Sequence, residues 1–124
     1  MTTTATGLDT GTLDTGTLVS AIVGRDAETL SGLYAADATI SIVDRDHPPA
    51  DPQVLSGRTE IEGYFRDICG RNIDHTVPQL VADAHGVAFE QHCRYPEGNR
   101  VVCVAVARVD DGRITSQTIA QSWD

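Results

Sequence analysis

The sequence predicts an α+β fold, and two observations carry that prediction. Up to Gly70 the apolar residues recur mainly at helical spacing, whereas beyond Asn72 they alternate with polar ones in segments separated by the turn sequences DAHG, PEGN and DDGR. Helices first, then strands joined by short turns, is the order of a chain that packs its helices against one antiparallel sheet.

Taken in order, residues 1–16, MTTTATGLDTGTLDTG, are rich in Thr and Gly, hold neither a long apolar run nor a basic residue, and read as a flexible leader. A single domain over residues 17–124 follows. The leader contains two Asp-Thr-Gly triplets, Asp9–Gly11 and Asp14–Gly16, which match the active-site triplet of aspartic proteases, but the chain lacks the paired β-lobes of that chemistry. Leu18 with Ile22 and Val19 with Val23 then mark one helix, stopped by Gly24. Asp26 caps a second, DAETLSGLYA, with Leu30, Leu33 and Tyr34 on one face. ATISIV, Ala38 to Val43, is a strand. In TEIEGYFRDICG, Thr59 and Glu62 stand at capping-box spacing and Gly70 ends the helix. Along the strand Val87–Tyr95, Val87, Phe89, Gln91, Cys93 and Tyr95 share one face, and His92 falls on the other. In Arg100–Val109 the small Val101, Cys103, Ala105 and Ala107 suit the inner face, which leaves Val102, Val104 and Val106 outside.

Composition excludes several functions. A chain of 124 residues buries roughly two-thirds of its unfolded surface, so it needs neither disulfides nor a structural metal. Nine Lys+Arg against eighteen Asp+Glu, a formal charge of −9, repels phosphate backbones and anionic lipid, which argues against nucleic acid as a partner. An odd set of cysteines, Cys69, Cys93 and Cys103, indicates reduced thiols and a cytoplasmic setting. No apolar run is long enough to span a membrane, and His47, His75, His85 and His92 show no metal-site spacing.

LYAADATI, a variable loop, LSGRTEIEGYF and a meander of strands ending in QSWD resemble the nuclear transport factor 2-like superfamily, and within it the SnoaL-like domains. That resemblance covers the chain from about Thr17 to Asp124. It implies a cone: a curved antiparallel sheet wrapped around N-terminal helices, an apolar pocket inside, and homodimers through the outer sheet face. It implies a small-molecule ligand and no cofactor, and a choice between enzymes, such as cyclases, isomerases and dehydratases, and non-catalytic binding domains. The steroid-isomerase residues are missing, however. The places of its base, its tyrosine and its protonated aspartate fall on Ile42, Leu18 and Ala105.

Other groups must therefore carry any chemistry. His75 opens a strand, and if its face continues through Val77 and Gln79 the imidazole points into the pocket, where it can serve as acid or base; a hydrogen-bonded core histidine is the plainer reading. Asp44, Asp46 and His47, in IVDRDHPPAD, pair carboxylates with an imidazole at the end of the first strand, where loops rim such cones; a solvated turn is the plainer reading. Gln117 and Gln121 share a face with Ile119, and with Gln91 opposite they supply neutral amides for an oxygenated ligand. Tyr34 and Tyr64 suit core packing, with a hydroxyl able to reach the pocket. The cysteines read as small buried hydrophobes.

Overall fold

The computed structural model describes residues 12–124. Its elements are α1 (Thr15–Val23), α2 (Ala27–Gly32), β1 (Tyr34–Val43), β2 (Gln53–Ser56), α3 (Arg58–Cys69), β3 (Asp74–Ala82), β4 (Gly86–Arg94), β5 (Arg100–Asp110) and β6 (Arg113–Trp123). The strands form one open six-stranded sheet in the order β2-β1-β6-β5-β4-β3. Within it β3 to β6 are an antiparallel meander, as their alternation predicts. The sheet as a whole is mixed, because β1 lies parallel to β6.

Local chemistry sets each boundary. Asp14 accepts the Thr17 N–H at 3.0 Å, so the second Asp-Thr-Gly triplet is a helix cap and α1 starts before Thr17. Leu13, ahead of that cap, is buried in the core. The triplet at Asp9–Gly11 lies outside the described residues. Asp26 caps α2 as expected, accepting from the Thr29 backbone and hydroxyl at 3.2 and 2.7 Å.

Two readings of helix ends are corrected. The second helix stops at Gly32, and Tyr34 opens β1 instead of extending the helix. Long-range partners decide this: Ile114 N–H donates to the Leu33 carbonyl at 2.9 Å, and the Arg58 guanidinium takes the Tyr34 carbonyl at 2.6 and 3.2 Å. The Thr59–Glu62 capping box does not form either. Gly57, at φ 87°, is the N-cap of α3 with no side-chain bond, and Glu60 reaches back to the Ser56 N–H at 2.8 Å. That φ favours glycine, which frees the chain to turn there without a polar cap.

Burial alternates along the whole of β5, with Val101, Cys103, Ala105, Ala107 and Val109 inward and the even positions outward. The helices cover the inward face. Leu18 and Ile22 of α1, Ile61 and Phe65 of α3, and Ile40 and Ile114 of the sheet make one apolar core. Next to it, Ile73, Cys93, Val101 and Cys103 form a smaller cluster. Between these two clusters lies the cavity.

Candidate functional site

Strand register builds the cavity wall. His75 of β3 stands opposite Cys93 of β4, and Cys93 opposite Val101 of β5. Gln91 faces Cys103, and Cys103 in turn faces Gln121 of β6. Because side chains two apart on a strand share a face, this register gathers His75, Gln91, Cys93, Cys103 and Gln121 on the concave side. Tyr64, Phe65 and Ile68 of α3 close the opposite wall.

The enclosed cavity measures about 80 Å³, counting only positions open to the centre of a water molecule. By that count one water needs about 10–15 Å³, so the space admits a small organic molecule or several waters. Its surface is largely apolar. The residues with polar groups in its wall are His75, Gln91, Gln117, Gln121, Tyr34, Tyr64, Tyr95 and Trp123, together with Cys69, Cys93 and Cys103.

His75 is only 6% exposed, and its two nitrogens differ. Nδ1 accepts from Gln91 Nε2 at 3.0 Å and lies 3.3 Å from Cys93 Sγ. With Nδ1 occupied as an acceptor, the ring proton sits on Nε2. Nε2 is buried and has no partner in the protein. A buried polar atom without a partner costs about 1–3 kcal/mol, and a ligand oxygen would relieve that cost.

At the other end Tyr34, 1% exposed, donates its hydroxyl to Gln117 Oε1. Burial raises both the Tyr34 and Tyr64 phenols well above their ordinary range, so both remain protonated donors. Trp123 Nε1 donates to Gln121 Oε1 at 3.1 Å, which fixes the amide at the mouth.

Asp44, Asp46 and His47 are not in the cavity wall. Asp44 and His47 exchange backbone hydrogen bonds at 3.0 and 3.2 Å, and Asp44 Oδ1 accepts from Asp46 N–H at 2.9 Å and His47 Nδ1 at 2.8 Å. Burial opposes ionisation of Asp44, yet these bonds outweigh it and hold the carboxyl below its usual range. Its Oδ1 is engaged inside the turn. The loop meets the site through Arg45, whose guanidinium lies 4.1 Å over the Trp123 ring.

The functional signal missing from the sequence is the Cys93–His75 contact. In the sequence the histidine adjacent to Cys93 is His92, but that ring is exposed on the outer face and bonds Glu90. Eighteen positions separate His75 from Cys93, and only the β3–β4 register unites them. Among the described residues no group of three or more His, Cys, Asp or Glu is placed to hold a metal ion. No described helix is long and apolar enough to cross a membrane.

The comparisons agree with this architecture. Residues 17–117 match the model of the SnoaL-like domain, and the chain belongs to that family. An NTF2-like protein of unknown function from Mesorhizobium loti superposes with a TM-score of 0.75 at 19% identity, over 85% of this chain and 84% of its own. A putative ketosteroid isomerase from Kribbella flavida gives 0.72 at 20% identity, over 87% and 74%. A protein with a ketosteroid isomerase-like fold from Catenulispora acidiphila, in complex with trimethylamine, gives 0.63 at 20% identity, over 85% and 82%. These likenesses establish the NTF2-like fold. No curated protein sequence matches the chain.

Proposed function

We propose that this domain binds an apolar, oxygen-bearing small molecule of polyketide-like character and acts on it by cofactor-free proton transfer, in isomerisation, cyclisation or dehydration. One observation carries the reading: His75, in the wall of a largely apolar cavity, has a buried Nε2 with no protein partner. A ligand carbonyl accepting Nε2–H is drawn towards its enol: its oxygen takes the Nε2 proton, Nδ1 takes a replacement from the Cys93 thiol at 3.3 Å, and the proton of the neighbouring C–H bond passes through water in the cavity to the Cys93 thiolate. Gln91, Gln117, Gln121, Tyr34 and Tyr64 orient the ligand. The steroid-isomerase positions offer no alternative base, since Leu18 and Ala105 line the cavity as apolar groups and Ile42 is fully buried. Asp44, Asp46 and His47 shape the rim in this account and take no part in the transfer.

The site's wealth of neutral amides and protonated phenols favours a second reading, a binding domain that holds the same ligand without turning it over. Thermal-shift screening of cyclic ketones and phenols, followed by product analysis on each stabilising compound, separates the two. Stabilisation with turnover supports the enzyme, stabilisation without turnover supports the binding domain, and no stabilisation by any compound contradicts both.

The fold is further proposed to act as a cytoplasmic homodimer. Val102, Val104 and Val106 are 40–59% exposed on the convex side of β5, a row of apolar side chains that a second copy would cover. Sedimentation velocity at micromolar concentration is expected to give the dimer mass; a monomer would contradict it.

A further inference from the structure

We propose that Cys93 is a nucleophilic thiol that adds covalently to small α,β-unsaturated carbonyl compounds entering the cavity. This goes beyond the acid–base reading of His75 and needs only the cavity and the Cys–His contact. Two side chains converge on Cys93 Sγ, His75 Nδ1 at 3.3 Å and Gln91 Nε2 at 3.6 Å, and Cys103 stands diagonal to Cys93 on β5. The second, independent observation is the unpartnered Nε2 on the same imidazole, which lies in the wall of the same cavity. The site thus offers a base for the thiol, and the same Nδ1, once protonated, is the donor that returns the proton to the adduct.

The step balances within these groups. Nδ1 takes the Cys93 proton, leaving a thiolate that accepts hydrogen bonds from Nδ1–H, Gln91 and Cys103. Sγ forms a bond to the β-carbon, the C=C π pair moves into the enolate, and Nδ1–H gives the proton it took to the enolate, which restores the carbonyl compound. The ring ends as it began, neutral with its proton on Nε2. The net change is addition of S–H across C=C, with no oxidant or reductant required.

The electrostatic surroundings agree. The Cys103 hydrogen bond first, then those of His75 and Gln91, draw the Cys93 thiol below its ordinary range against the cost of burial, while the same bond and burial push Cys103 up. Sharing the cavity are the titratable Tyr34, Tyr64 and Tyr95, whose phenols burial raises, so none adds a competing charge. Cys69, half-buried on α3 and in the wall of the same cavity, is likewise pushed up by burial.

Cyclohex-2-enone, neutral and compact, is the probe, with intact-mass spectrometry and peptide mapping as the readout. One adduct is expected, at Cys93, with a labelling rate that changes less than about threefold between pH 6 and pH 8. An unperturbed thiol changes roughly a hundredfold over that interval. Cys93→Ser should abolish the adduct, and His75→Gln, checked for a retained melting transition, should restore the steep pH dependence. Labelling of Cys69 or Cys103 in place of Cys93 would overturn the proposal. So would a hundredfold pH dependence in the wild-type protein, or no adduct under conditions that label the urea-unfolded chain; these two results need no variant to fold.

Discussion

Replacing His75 with Gln is expected to lower turnover of any substrate found for this cavity by two to four powers of ten, the usual range for losing a general acid or base. Glutamine matches imidazole in length and polarity, so it can still donate one hydrogen bond to a ligand oxygen. What it cannot do is accept a proton at one atom while releasing another from the far side. Ligand affinity should therefore fall far less than turnover, which places the loss in the reacting state and not in binding. The measurement is kcat and KM on the stabilising compound, with melting curves to show that the fold persists. An unchanged kcat would mean that His75 only binds, and the binding-domain reading would then stand.

The second large effect is on stability. Ile61 of α3 is fully buried and packs in the main core between helix and sheet. Ile61→Ala removes that packing and leaves a void, a change that costs about 2–5 kcal/mol. For a domain of this size the melting temperature should drop by about 10 °C or more. Calorimetry checks it, and a drop under about 2 °C would mean that α3 is not seated on the sheet as described. The same helix carries Tyr64 and Phe65 to the cavity, so the variant should also weaken ligand stabilisation. Val104, half-exposed on the convex face, provides the contrast: its truncation to Ala should cost almost nothing to an isolated domain.

The fold was legible wherever one face of an element is buried and the other wet. The strict alternation of β5 and the Leu18–Ile22 stripe of α1 are such cases, and the same periodicity put Gln91 on the covered face and Gln117 and Gln121 on one shared face, which the structure turns to the cavity. Legibility failed where distant partners decide. Tyr34 leaves the helix because Arg58 and Ile114 hold the backbone around it, and neither is a local signal. β2 is only Gln53–Ser56, too short to display a period, and exists because it pairs with β1. Gly57 took over the start of α3 from a plausible capping box. In the loop, Asp44 and His47 do form a carboxylate–imidazole pair, but the turn that unites them keeps both out of the cavity wall. Cys93 passed as a hydrophobe because its partner is a cross-strand neighbour. Periodicity assigns side chains to faces, but register decides which of them meet.

The central claim is that His75 keeps its proton on Nε2 and offers it to a ligand. Nitrogen-15 NMR of histidine-labelled protein reads this directly, since the two ring nitrogens and their protonation give distinct shifts. The account predicts that His75 alone among the four histidines shows a protonated Nε2 with Nδ1 as a hydrogen-bonded acceptor, and that saturation with a stabilising ligand moves the Nε2 signal while leaving those of His85 and His92 in place. A proton on Nδ1, or a saturating ligand that leaves the His75 signals unmoved, would contradict it.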